Sequence, residues 1–296
     1  MPTPRPVRGL IALLRLPYWL MTGGLSLLTA FAITKNPLGF SPQTVLLIFF
    51  SMAFITSAGF AVNDYFDRES DAVIKPKRPI PSGALSLKQV VAISGVLFVS
   101  GLIMAAYINW LSFAIIAADS ALLLIYSMFV KRKSGFLANV LVGVLTGTAF
   151  MYGQATVSVP PTVNLISLSL YPIAFGTIGG NVLRDVLSLK GDSKTGYPTL
   201  PQKIGISKSV KVAALFFALT GVFAPLPSLP YFAGHFTVAY LPLILLWSVL
   251  LIYSSVRLVT SASTVQNIRK YERIVTMSMV LLPLALIVES VLGGVI

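Results

Sequence analysis

Nine runs of about 20 predominantly apolar residues follow one another along this chain, at roughly 16–33, 43–62, 90–108, 111–130, 138–157, 163–183, 212–229, 236–256 and 274–296. A helix needs about that length to cross a bilayer core with every backbone polar group bonded internally. The expected fold is therefore all-α: a polytopic membrane protein with nine transmembrane helices in a single bundle. Charged residues make up 10% of the 296, against about 25% in an ordinary soluble domain. The first run is too long for a cleavable signal peptide, and further spans follow it.

The chain has no Cys and a single His, which excludes a disulfide framework, a thiolate metal site and a Cys nucleophile, and argues against a His-built zinc site. Chemistry is left to carboxylates, amides, hydroxyls, lysines and arginines. The net charge of +13 does not signal nucleic acid, because the cations sit between apolar runs rather than on one solvated face or tail. With the amino terminus cytoplasmic, 21 of the 22 Lys and Arg fall on the cytoplasmic side and Lys35 alone falls outside. Because Lys and Arg bias sets orientation, this supports both the span count and a cytoplasmic amino terminus, in the cell membrane.

Six of the nine acidic residues occupy two short stretches: Asp64, Asp67, Glu69 and Asp71 after the second run, and Asp185 and Asp192 after the sixth. Both lie at the cytoplasmic ends of helices. Asn63, Asp67 and Asp71 recur at i, i+4 and i+8 and share a helix face, with Asp64 close by. Carboxylates at that spacing repel unless a positive group lies between them or water solvates them. In the second stretch Asp185, Ser188 and Asp192 share a face, flanked by Arg184, Lys190 and Lys194. Two sets of oxygen donors without nearby His or Cys suit a hard cation, Mg²⁺ in particular, which carboxylates usually hold together with substrate phosphates. Surrounding Lys and Arg would meet the remaining phosphate charge. Solvated helix ends with local ion pairs would account for either stretch alone, less readily for both.

A faint repeat also runs through the chain. Each acidic stretch closes the second helix of a four-helix unit and leads into a Pro-containing basic loop ending in Ser and Lys. The units fall at about 10–133 and 134–260 of one domain spanning 1–296, with a ninth helix at 273–296 outside the repeat. Ser86 and Ser207 are the expected N-caps of the third and seventh helices.

In these residues the chain resembles the UbiA superfamily of intramembrane prenyltransferases, whose signatures are N-D-x-x-D-x-x-x-D after the second helix and an Asp-rich motif after the sixth. Here they stand as Asn63, Asp64, Asp67 and Asp71, and as Asp185 and Asp192. The resemblance covers essentially the whole chain and includes 78–83, the close of the fourth helix from Tyr126 to Arg132, and Asn139. Within the superfamily, residues 71–83 are similar to archaeal geranylgeranylglyceryl phosphate geranylgeranyltransferases and nearly as similar to chlorophyll synthases. Ser188 departs from the archaeal pattern, which often carries Asp there, and that leaves the acceptor more open than the reaction.

The resemblance implies Mg²⁺ held by Asn63, Asp67 and Asp71 on one side and by Asp185 and Asp192 on the other. The metal would bridge the diphosphate of a polyprenyl donor, with Asp64 and Ser188 beside the substrate. Lys131 and Arg78, and after them Arg15, Arg68 and Lys190, would meet the leaving diphosphate, and Tyr65 and Tyr126 would face the allylic cation. The implied partners are a polyprenyl diphosphate, a lipophilic acceptor and membrane lipid.

Other polar residues stand outside these motifs. Asp119 is expected to be protonated or hydrogen-bonded within the bundle, Glu289 to reach water near the outer end, and His235 to sit in an outer loop. Gly143 and Gly147 fit a helix contact within the chain. Competing readings are an aromatic or chlorophyll-type prenyltransferase, an ion-coupled transporter and a non-catalytic scaffold; the position of the acids at helix ends rather than at the midplane favours a phosphate-bearing substrate over a coupling ion.

Overall fold

The computed structural model describes residues 5–192, 198–232 and 234–295, with the side chains of 5 and 190–192 left aside. Among the described residues there is no strand, and nine helical stretches are long and apolar enough to cross a membrane. They are span 1 (Pro6–Thr34), span 2 (Pro42–Phe66), span 3 (Leu87–Ile108), span 4 (Trp110–Lys133), span 5 (Gly135–Ala155), span 6 (Leu165–Leu189), span 7 (Ile206–Ser228), span 8 (Leu241–Thr260) and span 9 (Val265–Leu292). Consecutive spans lie side by side, and span 1 closes the circle by packing against both span 5 and span 9.

Side chains on the outer surface explain why this bundle belongs in lipid. On span 3 alone Val96, Val99 and Ile103 are 65%, 55% and 62% exposed. In water such surface costs about 25 cal/mol per Å², whereas against lipid tails it costs nothing. Contacts between helices depend instead on small residues. A Cβ on Gly143 would stand 2.5 Å from Ile178, and one on Gly147 would stand 2.6 Å from Tyr171, so the pair lets spans 5 and 6 approach within one chain.

Several boundaries differ from the sequence expectation. Span 1 opens with a short helix, Arg5–Leu14, which ends where Arg15 takes φ +49° and continues without a loop into the rest of the span. Glycine usually fills such a backbone position; here the freed Leu14 carbonyl accepts from the Ser57 hydroxyl (2.6 Å) and the Trp19 indole (3.2 Å). Ser86 caps span 3 in a full capping box with Gln89. Ser207 is not a cap: span 7 starts at Ile206 behind Gly205, whose φ of +81° makes the turn. Span 8 begins at Leu241, after the folded-in segment of Phe236 and Tyr240, and span 9 begins at Val265, so Arg269, Lys270 and Arg273 continue its helix instead of forming a loop.

Glu289 corrects a second expectation. It does not reach water but is 0% exposed. Its carboxylate accepts from the Thr237 amide (2.9 Å) and hydroxyl (2.8 Å) and faces the Lys35 ammonium at 3.7 Å. Asp119 is buried in span 4 and accepts from the Thr148 hydroxyl at 2.8 Å. His235 is exposed in the 229–240 connection.

Candidate active site

Span 2 brings the first acidic stretch to the end of the bundle and then bends. The α-helix stops at Phe66, Asp67 has φ −87° and ψ 0°, and a short helix resumes over Arg68–Ile74. The i to i+4 bonds bridge the bend, with the Asp67 amide donating to the Asn63 carbonyl and the Asp71 amide to the Asp67 carbonyl (2.9 and 2.8 Å). The bend divides the acids among three cations. Lys131, at the end of span 4, donates to the Asn63 amide oxygen (3.0 Å) and forms an ion pair with Asp67. Arg78 donates from one nitrogen to Asp64 (2.9 Å) and Asp71 (2.5 Å), while Arg15 donates to Asp64 at 2.5 Å.

Asp64 and Asp71 are 3% and 4% exposed, and burying a carboxylate is tolerable only when it is paired and hydrogen-bonded. The arginines meet that requirement. They therefore separate the polar residues into two clusters: Asp64 and Asp71 with Arg15 and Arg78, and, more open, Asn63 and Asp67 with Lys131. The Arg15 guanidinium also lies 4.3 Å over the Phe60 ring.

Span 6 supplies the second stretch. Asp185 accepts from the Asn139 side chain of span 5 at 2.8 Å, and the exposed Ser188 hydroxyl donates to the Asp185 carbonyl at 3.5 Å. Tyr126, near the end of span 4, lies within electrostatic reach of Asp67, Asp185 and Arg15. Lys190 and Asp192 lie outside the described side chains. Arg68 does not turn toward the cluster: it spans the Tyr65 ring at 5.2 Å and pairs with Glu69 at 3.2 Å, which engages Tyr65 too. No group of three or more His, Cys, Asp or Glu is gathered for a metal among the described residues, so any ion here relies on mixed donors.

Asn139 and Lys75 are the residues that the candidate set omitted. Asn139 was visible as an amide near the start of the fifth apolar run. Lys75 makes no ion pair among the described residues. Desolvation, and then the positive charge of Arg78, push its ammonium below the usual lysine value.

Deeper in the bundle lies an apolar cavity of about 540 Å³. Leu20, Leu28, Phe49, Phe150, Ile173 and Trp247, from spans 1, 2, 5, 6 and 8, contribute to its wall, and Pro283 of span 9 completes it. Its size falls in the roughly 300–1,000 Å³ range of small-molecule pockets. Thr177 on this wall and Asp185 at the polar cluster are two turns apart on span 6, roughly 12 Å at the helical rise.

The family model for UbiA prenyltransferases matches residues 23–282. The chain belongs to the UbiA prenyltransferase family. A digeranylgeranylglyceryl phosphate synthase of Natronomonas pharaonis is 36% identical over 235 residues, covering 79% of this chain and 82% of that protein. One from Halobacterium salinarum is 33% identical over 263 residues, covering 89% and 92%. A solved structure described as digeranylgeranylglyceryl phosphate synthase in membranes has a TM-score of 0.80 at 26% identity, covering 97% of this chain and 99% of that one. A UbiA homolog from Archaeoglobus fulgidus, bound to GPP and Mg²⁺, shares the fold at a TM-score of 0.65 and 19% identity, covering 94% and 99%. This UbiA chain is thus an integral membrane prenyltransferase, and the polar cluster above an apolar cavity is its candidate active site.

Proposed function

We propose that this prenyltransferase moves a geranylgeranyl group from its diphosphate to geranylgeranylglyceryl phosphate, the step that builds a two-chain archaeal ether lipid. One observation carries the reading: the cluster of Asn63, Asp67 and Lys131 lies at the same end of the bundle as Asp185, and Asp185 is two turns of span 6 from the wall of an apolar cavity sized for a prenyl chain. The relatives at 36% and 33% identity, named for this synthesis, support the acceptor. The Lys and Arg distribution supports a site and amino terminus facing the cytoplasm.

The donor set fits Mg²⁺, because it consists of carboxylate and amide oxygens with no soft ligand among them. Asn63, Asp67 and Asp185 would hold it, with Asp192 as a further proposed ligand. Asp71 is a further proposed ligand: Arg78 engages its Oδ2, as Lys131 engages Asn63 and Asp67 and Asn139 engages Asp185, so each would exchange that partner for the ion. When bound, the ion supplies Lewis acidity and charge neutralisation at the diphosphate.

The chain's own residues do the rest. Lys131, held between Asn63 and Asp67, presents an ammonium to the oxygen from which the prenyl carbon departs. The C–O bond of the donor breaks with its electron pair leaving on the diphosphate, and the charge that develops there is met by Lys131. The ring face of Tyr126 lies beside the allylic cation, and the apolar wall from Leu20 to Trp247 excludes water from it. The acceptor hydroxyl closes the new C–O bond, its proton passing to the released diphosphate. Arg15 and Arg78 act indirectly by fixing Asp64 and Asp71, so that the bend at Asp67 keeps its shape.

The test is diphosphate release from geranylgeranyl diphosphate with geranylgeranylglyceryl phosphate, the product being identified by mass spectrometry. The reading expects a two-chain product and full dependence on Mg²⁺. Turnover that survives EDTA, or that persists in an Asp67→Ala, Asp185→Ala double variant, rejects it.

A further inference from the structure

A second polar cavity lies outside the candidate active site, between the Arg5–Leu14 helix and the loop that follows Ile74. It measures about 380 Å³ and is lined by Arg8, Lys77 and Ser82 with apolar walls from Pro76, Pro79 and Ala12. No acidic residue lines it. Arg8 and Lys77 make no ion pair among the described residues, whereas Arg15 and Arg78, on the same two segments, are committed to Asp64 and Asp71. Two uncommitted cations and a hydroxyl in one concave site are suited to a phosphate.

We propose that this groove is the subsite for the phosphomonoester of the acceptor lipid. The inference rests on the acceptor assignment above and adds where that acceptor's own charge goes. The donor diphosphate belongs at Lys131, and placing a second phosphate in the same cluster would set like charges a few ångströms apart. The groove offers separate cations on the two segments that also carry Arg15 and Arg78. Lys77 and Arg78 are consecutive, their Cα atoms about 3.8 Å apart; Arg78 turns inward to the buried acids and Lys77 lines the groove. Arg8 lies two helical turns before Arg15, on the order of 10 Å.

The position also suits a lipid rather than a soluble phosphate. Val7, Leu10 and Ile11 are 44%, 37% and 49% exposed on the helix that carries Arg8, while Leu13 is fully buried. That short amphipathic helix belongs at the headgroup boundary, so an acyl-like chain can run over Val7, Leu10 and Ile11 while its phosphate enters the groove. The walls are preformed. A Cβ on Gly9 would stand 2.9 Å from Ala84 and 3.1 Å from Leu85, and Leu13 shares a small core with Ala61, Leu85 and Val90.

The experiment uses the full chain in phosphatidylcholine nanodiscs and titrates three probes: geranylgeranylglyceryl phosphate, its dephosphorylated counterpart geranylgeranylglycerol, and geranylgeranyl diphosphate. Arg8 and Lys77 are both exposed, so Arg8→Gln and Lys77→Gln leave the fold intact. Each single variant is expected to raise the Kd and KM for the phosphorylated acceptor about tenfold. Affinity for geranylgeranylglycerol, KM for the donor and kcat at saturation stay as in the parent. Unchanged acceptor affinity in the double variant, or an equal loss for the donor, overturns the proposal. Adding phosphatidylglycerol separates the two sources of a lipid phosphate: less than a twofold rise in acceptor Kd is expected. A groove that loses phosphatidylglycerol binding in the variants while acceptor affinity holds is a bulk-lipid site, and the proposal fails. A parent enzyme that ignores geranylgeranylglyceryl phosphate and prenylates another acceptor sinks the acceptor assignment and this proposal with it; normal turnover with insensitive variants sinks the groove alone.

Discussion

The two ends of the bundle bury carboxylates in opposite ways. At the active-site end, Asp64, Asp67 and Asp71 share three cations, and the side chains of Asp67 and Lys131 keep 13% and 16% of their surface exposed. At the other end Glu289 is fully enclosed, its two oxygens taken by Thr237 and faced by Lys35. The first arrangement leaves polar groups in excess and partly wet, so an incoming anion can exchange partners with them. The second satisfies one charge locally and ties the end of span 9 to the 229–240 connection and to the end of span 1. Buried charge is costly unless it is paired; one end leaves that pairing partly wet and open to exchange, the other encloses it.

Asp67→Asn should break the comparison most visibly. It keeps the size of the side chain but removes the charge that holds Lys131 and would hold a metal. Turnover is expected to fall at least 100-fold, about 2.7 kcal/mol, with circular dichroism unchanged because the residue lies at the wet end of a helix. Loss of helix content in parallel with activity would show the acid to be structural after all.

Glu289→Ala is the reciprocal test. It strands the Thr237 amide and hydroxyl without their acceptor, which costs about 2 kcal/mol of stability, while the surviving folded enzyme keeps its KM for both substrates. Thermal unfolding in detergent reads the first effect and steady-state kinetics the second. Glu289→Gln, which keeps an acceptor for Thr237, should recover most of the loss. A raised KM at normal stability would mean that the far end talks to the site.

Arg78→Lys sharpens the distinction within the active-site end itself. A lysine keeps the charge but has to bridge Asp64 and Asp71 with a compact ammonium on a different stem. Turnover should drop about tenfold, near 1.4 kcal/mol, with kcat affected and Mg²⁺ dependence retained. A shift in the Mg²⁺ requirement as large as that of Asp67→Asn would place Asp71 among the metal ligands and remove the division between the two clusters.

The spans were legible because crossing a bilayer imposes one length and one composition on every run, and the acidic faces because i and i+4 residues share a helix side. That logic places Asn63 and Asp67 together, and they share Lys131; it does not encode the bend at Asp67, beyond which Asp71 shares Arg78 with Asp64. Glu289 was misjudged for a related reason: its partners are 52 residues away at Thr237 and near the start of the chain at Lys35. The Arg5–Leu14 helix escaped because ten residues with two arginines are too short and too polar to read as a span, although their one-sided pattern marks an interfacial helix. Ser207 looked like a cap by type, but Gly205 had already made the turn.

Lys75 provides the mildest test, since it borders the committed arginines without joining them. Desolvation and the Arg78 charge lower its pKa in the folded state, so below that folded value both folded and unfolded chains carry the proton and the repulsion is fully present. As pH rises from there toward the unfolded value near 10.5, the folded chain releases its proton first, and stability grows across that window. The accessible readout is amine acylation: at pH 8 to 9 Lys75 should react a few-fold faster than Lys88, which is likewise exposed, and its rate profile should have the lower midpoint. Binding the donor diphosphate places negative charge beside it and should move that midpoint upward. A profile that matches Lys88 and ignores the donor would mean that Lys75 stands apart from the cluster, and that the positive field at this end is confined to Arg15, Arg78 and Lys131.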